Sequence, residues 1–543
     1  MGRVKIQTVM RFVLLTITLS FALSLPAPSQ GQERRDPSEP FPVLETSIDE
    51  IHAAFQSGRL TARQLVQQYL DRIQAYDQQG PKINSIITLN PMALEEADRL
   101  DAQYKSSGLA GPLHGIPVLV KDEIDTAGMP TTLGTVVFKD YRPPLDAFVV
   151  AKLKEAGAII LGKTTLSEFA AGDTYGSLFG ATRNPYDLER TAGGSSGGSG
   201  AALAANFSTL ALGEETSASI RRPGGWNDVV SMRPTAGLVS RTGMYDGYPS
   251  EAASIGPMAL NVRDLAILLN VMVGYDPEDP ITALGVGQAP EDYTTFLDRN
   301  GLRGARIGIL RESIGTDSEP ESQDFKTVAA AFEKNVAELK AAGATVIDPI
   351  VIPNLQELLA KRAGNSAITD EALKVWLARN PTSPFKTRED IRNSPDVDKI
   401  FPPTKAAQWK APRGEPDMLQ YGEYLSARQQ LLIALLKVMA DHRLDAIAHT
   451  TVEHQPSLIR DGTNPPYVSS KGVPTLNTFL VYVPAITVPS GFTTDNLPVG
   501  ITFLGRPYSE GAVLKLAYGY EQATHHRIPP KSTPALPTGN SSK

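Results

Sequence analysis

Apolar runs of strand length alternate with amphipathic stretches of helix length through most of this chain, and that alternation narrows the fold more than any other feature. The run IPVLV (residues 116–120) is β-branched and continuously apolar, as suits a strand buried on both faces. DAFVVAKLKEAG (146–157) reads as an amphipathic helix leading into the short strand AIIL. The same alternation resumes with the strand LRGARIGILRE (302–312) and the helix FKTVAAAFEKNVAELKAAG (325–343). LDAIAHT, PAITVPS and VGITFLG add short strands, and GAVLKLAYGYEQAT (511–524) a last helix. Helices between strands predict an α/β fold, with a central, mostly mixed sheet covered by helices on both faces. A chain of 543 residues could hold two domains, but no repeat or linker interrupts 44–526, so one large domain is expected.

Two helix starts are legible within that domain. Ser47 with Glu50, and Thr61 with Gln64, fit the capping box, and Leu65, Tyr69, Leu70 and Ile73 form one apolar face. Residues 358–426 break the pattern: they are polar and Pro-containing, carry Trp376 and Trp409, and show no α/β period. They read as a variable insertion, either a wall of the active site or an ordinary surface excursion.

The two ends read differently from the middle. Arg3, Lys5 and Arg11 precede the apolar run FVLLTITLSFALSL (12–25) and the small, polar PAPSQGQ, the order of a secretory signal peptide over 1–31. The run is short for a membrane span, and an uncleaved N-terminal anchor is the competing reading. A flexible leader is expected over 32–43 and a disordered tail over 527–543. The signal reading implies a periplasmic or extracellular protein with no stable membrane association once the signal is removed. The chain has no cysteine, which rules out disulfides, lipid attachment at cysteine and thiol chemistry. A net charge of −7 with scattered Lys and Arg offers no basic stripe and argues against a nucleic-acid partner.

The chemistry concentrates in TAGGSSGGSGAALAANFSTLALGEETSAS (191–219), which reads as two serine-bearing turns around a buried strand. Its glycines let backbone N–H groups approach whatever sits above them, and Ser219 is expected to open a helix with free donors around its hydroxyl. Two pattern matches here mislead. GAIILGKT (157–164) fits the phosphate loop letter for letter, but its middle four residues are the apolar strand and not an exposed turn, so nucleotide binding is rejected. GSSGG (194–198) fits a nucleophile elbow at Ser196, but a polar, Pro-containing loop precedes it where an apolar strand is required. None of the seven histidines presents itself as a general base.

Taken together and in order, HGIPVLVKDEIDTAGMPTT, RNPYDLERTAGGSSGGSGAALAA and GEETSASIRRP resemble the amidase signature family over about 44–524. The resemblance implies a Ser–Ser–Lys triad: a strand-end lysine at Lys121, a bridging serine preceded by a cis peptide at Ser195, and the nucleophile at Ser219. It implies an oxyanion hole from the backbone N–H groups of Thr216, Ser217, Ala218 and Ser219, and an acyl-pocket lining at Phe169. It further implies hydrolysis of a carbon–nitrogen bond in a linear, small-molecule or peptide amide through an acyl-enzyme, with no metal and no cofactor. Ester or carbamate hydrolysis by the same triad, and a non-catalytic ligand-binding relative, are the alternatives; an esterase acting through Ser196 is a further one. Lysine can serve as the base only if burial and positive dipoles bring its pKa well below about 10.4. The sequence departs from the family at Ser217 and Ala218, where a Gly-Gly pair is usual, at Asp228 and Ser231, and at Glu123, where asparagine is usual. Strain follows if Ser217 or Ala218 needs positive φ; negative φ at Ala218 is expected.

Overall fold

A computed structural model describes residues 41–537. The expected signal (1–31) and most of the leader (32–40) lie outside the described residues, as do 538–543. Eleven strands form one sheet: β1 (Ile86–Leu89), β2 (Pro117–Lys121), β3 (Ile159–Thr164), β4 (Leu210–Glu215), β5 (Val230–Arg233), β6 (Ser254–Ala259), β7 (Arg306–Leu310), β8 (Thr345–Ile350), β9 (Ala446–Thr450), β10 (Ala485–Phe492) and β11 (Pro498–Leu504). Their spatial order is β1-β3-β2-β4-β6-β5-β10-β11-β9-β7-β8. The sheet is mixed: β2 runs parallel to β3 and β4, and β7 to β8 and β9, while the other pairs are antiparallel. Helices flank it, which is the single α/β domain expected from the alternation.

The local chemistry of the sequence is visible in the elements. Both capping boxes form, Ser47 with Glu50 ahead of Ile48–Gln56 and Thr61 with Gln64 ahead of Ala62–Arg72. All five residues of β2 are buried, so its apolar run has no solvent side and Lys121 ends it in the interior. The Gly-Lys-Thr of the phosphate-loop look-alike lies inside β3, where Lys163 is buried against Asp122 at 3.1 Å.

The segment read as an insertion gains definition, and the disordered tail expected over 527–543 needs correction for 527–537. The insertion is largely helical, with Ser366–Ala378, Arg388–Arg392, Pro403–Lys410 and the start of Met418–Asp441. These helices carry Trp376, Leu377, Ile391 and Trp409 into an apolar cluster with Phe138, Tyr141 and Phe169, far away in sequence. Residues 527–537 of the expected tail are likewise held against the domain. Arg527 reaches Glu45 Oε1 at 2.9 Å and the Asp228 carbonyl at 3.0 Å, and buried Arg72 donates to the carbonyls of Thr533 (2.9 Å) and Pro534 (2.7 Å). Charged groups at each end of the domain thus tie the start and the finish of the fold together.

Candidate active site

Three adjoining segments build the site. β2 brings Lys121 to its C-terminal end, β4 runs beside it to Glu215, and the turn 192–196 lies across both before the helix Gly197–Ala204. The glycines of this turn work by packing: a Cβ on Gly194 would sit 2.3 Å from the Gly172 carbonyl oxygen, and one on Gly198 2.3 Å from that of Thr165. Close approach to neighbouring backbone is what requires a glycine at these two positions.

Lys121 Nζ lies 2.6 Å from Ser195 Oγ, with both side chains fully buried, and the peptide between Gly194 and Ser195 is cis. Ser196 N donates to the Ser219 carbonyl at 3.1 Å, joining the two serine turns. Among the described residues no hydrogen bond links Ser195 Oγ with Ser219 Oγ, so the expected chain of three is present only in its Lys121–Ser195 half. Ser219 is half-buried and faces a cavity of about 370 Å³ lined also by Gly194, Glu214, Thr216, Ser217, Ala218 and Phe169. The N–H groups of Thr216 to Ser219 meet no protein acceptor among the described residues, leaving four donors at the cavity wall.

The turn that carries Ser219 is held by its own chain. Glu215 Oε2 accepts from the N–H groups of Ile220 and Arg221, both at 3.0 Å, and Glu215 Oε1 is paired with Arg221 Nη2 at 2.6 Å. The helix it caps is Arg221–Trp226, so Ser219 stands in the turn two residues before it instead of opening it. Arg222 grips the other turn, donating from Nε to the Gly194 carbonyl at 2.9 Å and pairing with Asp173 at 2.8 Å. Neither Ser217 nor Ala218 has positive φ, as expected for Ala218. The glycine departure that does occupy the left-handed region is Asp228, at φ 56°.

Ser196 is turned away from the cavity: its hydroxyl donates to the Glu214 carbonyl (3.1 Å) and accepts from the Glu214 N–H (3.2 Å). Phe169 lines the cavity with its ring 4.3 Å from that of Trp409, so Trp409 of the insertion backs one wall of this cavity. Arg362, Thr369 and Arg413 complete that wall.

The family model described as Amidase matches residues 64–514. The chain belongs to the amidase signature family. It is 33% identical over 496 residues to a glutamyl-tRNA(Gln) amidotransferase subunit of Heliobacterium modesticaldum, covering 88% of this chain and 97% of that one. Against the corresponding protein of Thermoanaerobacter pseudethanolicus it is 34% identical over 503 residues, 90% and 99% of the two chains. Among solved structures, native peptide amidase from Stenotrophomonas maltophilia superposes with a TM-score of 0.77 at 34% identity, over 90% of this chain and 99% of that one.

Within this amidase, the surroundings of Lys121 differ from what sequence reasoning expected. Glu214 Oε2 lies 2.9 Å from Nζ and Glu123 Oε1 2.7 Å from it. Burial alone pulls the lysine's pKa down, but the two carboxyl groups outweigh it and the balance lies above the ordinary value. Burial, with Glu214 adding to it against the opposing pull of Lys121, raises the Glu123 carboxyl well above the usual carboxylate range. The direction at Lys121 is opposite to the lowering that a lysine base requires. Its signal stood in the sequence at Glu123, but Glu214 is 93 residues from Lys121, and only the pairing of β2 with β4 brings it there.

Proposed function

We propose that the protein is an exported serine amidase that cleaves the carbon–nitrogen bond of a linear amide through an acyl-enzyme on Ser219. The observation that carries this reading is the buried 2.6 Å contact between Lys121 Nζ and Ser195 Oγ beside a turn of four unpaired N–H donors that bears Ser219. In this reading a rotation of the Ser219 side chain brings Oγ to Ser195, which relays its proton toward Lys121. Ser219 Oγ attacks the carbonyl carbon, and the oxyanion rests on the N–H groups of 216–219. The amine departs with the relayed proton, and water releases the acid by the same steps.

A peptide or small-molecule amide is the substrate class we favour. The fold lies nearer to peptide amidase than to the Thermotoga maritima glutamyl-tRNA(Gln) amidotransferase subunit, whose TM-score is 0.66 at 28% identity. The signal-like run at 12–25 supports export, where an assembly acting on tRNA would have no substrate. Turnover of aryl amides, peptide amides and carbamates, with Ser219→Ala as the blank, tests the reading. Activity confined to esters or carbamates would reassign the substrate, and no turnover in the panel, or full activity in Ser219→Ala, would refute it.

A further inference from the structure

The ammonium of Lys121 cannot accept a proton while it is donating one to Ser195. It sits with Ser195 Oγ at 2.6 Å, Glu214 Oε2 at 2.9 Å, the Glu214 carbonyl at 3.3 Å and Glu123 Oε1 at 2.7 Å. The two carboxyl groups are not equivalent. Glu214 is aligned with Nζ as an acceptor, and its other oxygen is held by the Thr216 hydroxyl at 2.9 Å. Glu123 is close to Nζ but poorly aligned, and both its oxygens are buried without a hydrogen-bond partner. One ammonium balances one carboxylate, and of the two acids only Glu214 is aligned to accept from Nζ.

Resting on the Ser219 reading above, we propose that the proton relay of this amidase has a fourth member, Glu214, whose carboxylate is the terminal proton acceptor behind Lys121. Before attack, an N–H bond of Lys121 breaks, its pair stays on nitrogen, and the proton joins Glu214 Oε2. The neutral amine then takes the Ser195 hydroxyl proton, Ser195 Oγ takes that of Ser219, and the Ser219 oxygen pair forms the bond to the carbonyl carbon as the C=O π pair moves onto oxygen. When that pair re-forms C=O, the C–N bond breaks, the leaving nitrogen takes a proton back through Ser195 and Lys121, and Glu214 returns its own to Lys121. No co-reactant is needed. Glu123 acts as a positioning residue, a neutral acid that fills the remaining flank of Nζ.

Other charged groups near the cluster have partners or stand further off. Asp122 is paired with Lys163, and Glu215 with Arg221. The charge of Glu123 is felt at Tyr245, that of Glu215 and then Glu214 at Arg233, and that of Glu214 at Asp246, which Arg241 and Arg413 also influence. Burial, with Glu214 adding to it, pushes Asp246 up to about 7.

The test is the pH dependence of acylation in the full-length protein on an amide that the parent turns over. Glu214→Gln, which keeps the shape and an acceptor oxygen, is expected to lower kcat by at least about 100-fold with KM within about twofold, and to remove the acid limb of the profile. Glu123→Gln is expected to lose less than about tenfold. Thermal midpoints accompany both variants; if Glu214→Gln does not fold, Thr216→Val decides, since loss of the hydroxyl donor to Glu214 must move the acid limb to higher pH. Glu214→Gln as fast as the parent or faster, or an unmoved limb in Thr216→Val, overturns the proposal. Ser219→Ala in the same assay separates the two readings: if it is inactive while Glu214→Gln is active, the relay extension alone fails.

Discussion

The clamp between Glu215 and Arg221 should couple stability to catalysis. Replacing Arg221 by Met leaves the buried Glu215 carboxylate without its cation, though still accepting from two backbone N–H groups. Removal of one partner from a buried pair costs about 3–5 kcal/mol, and the retained N–H bonds argue for the lower half of that range. At roughly 2.1 cal/mol/K per residue over about 500 ordered residues, the thermal midpoint falls by about 1 °C per kcal/mol, so a drop of about 3–4 °C is expected. The Glu215–Arg221 contacts span the turn bearing the four donors and Ser219, so kcat on an amide should fall at least about tenfold as the donors lose alignment. Glu215→Gln combined with Arg221→Met keeps an acceptor for the two N–H groups and removes the uncompensated charge, so the double variant should be more stable than Arg221→Met alone. Differential scanning fluorimetry with steady-state kinetics reads both effects. An Arg221→Met protein with parental midpoint and kcat, or a double variant less stable than the single one, would refute the reasoning.

Three further outcomes are expected. Ala218→Gly should lose about 0.4–1 kcal/mol and a few-fold in acylation rate, because Ala218 has no positive φ for glycine to relieve; a variant both more stable and as fast would reverse that sign. Burial pushes Asp125 up to about 7, so its folded-state pKa exceeds the unfolded value and its contribution to stability is full below about pH 4 and lost as pH rises through 7. Asp125→Asn, which can still accept from the Trp376 indole, should therefore gain in thermal midpoint relative to the parent on going from pH 5 to pH 8, and an equal difference at both would contradict this. Trp409→Ala removes the ring stacked on Phe169 and should cost about 3–5 kcal/mol and raise KM several-fold; an unchanged KM would detach the insertion from substrate binding.

What the sequence disclosed divides along a physical line. Strands such as IPVLV and the capped starts at Ser47 and Thr61 were legible because periodicity and capping are properties of contiguous residues. The helices of the insertion were not, because their apolar side chains are satisfied by Phe138 and Phe169 and leave little regular stripe of their own. The anchoring of 527–537 was hidden for a related reason: it depends on Arg72 donating to carbonyl groups, an interaction that any sequence could offer. At the site, motif order singled out Lys121, Ser195 and Ser219 as candidates, whereas the carboxyl groups around Lys121 went unseen because Glu214 reaches it only through the sheet.

Ser219 is the residue proposed to carry the acyl group. Rapid quenching in acid during turnover of a slowly deacylating aryl amide, followed by intact-mass and peptide mass spectrometry, tests it most directly. A gain equal to the acyl moiety is expected on the peptide containing Ser219 and is absent in Ser219→Ala; an adduct mapped to Ser196, or undiminished in Ser219→Ala, would contradict that role.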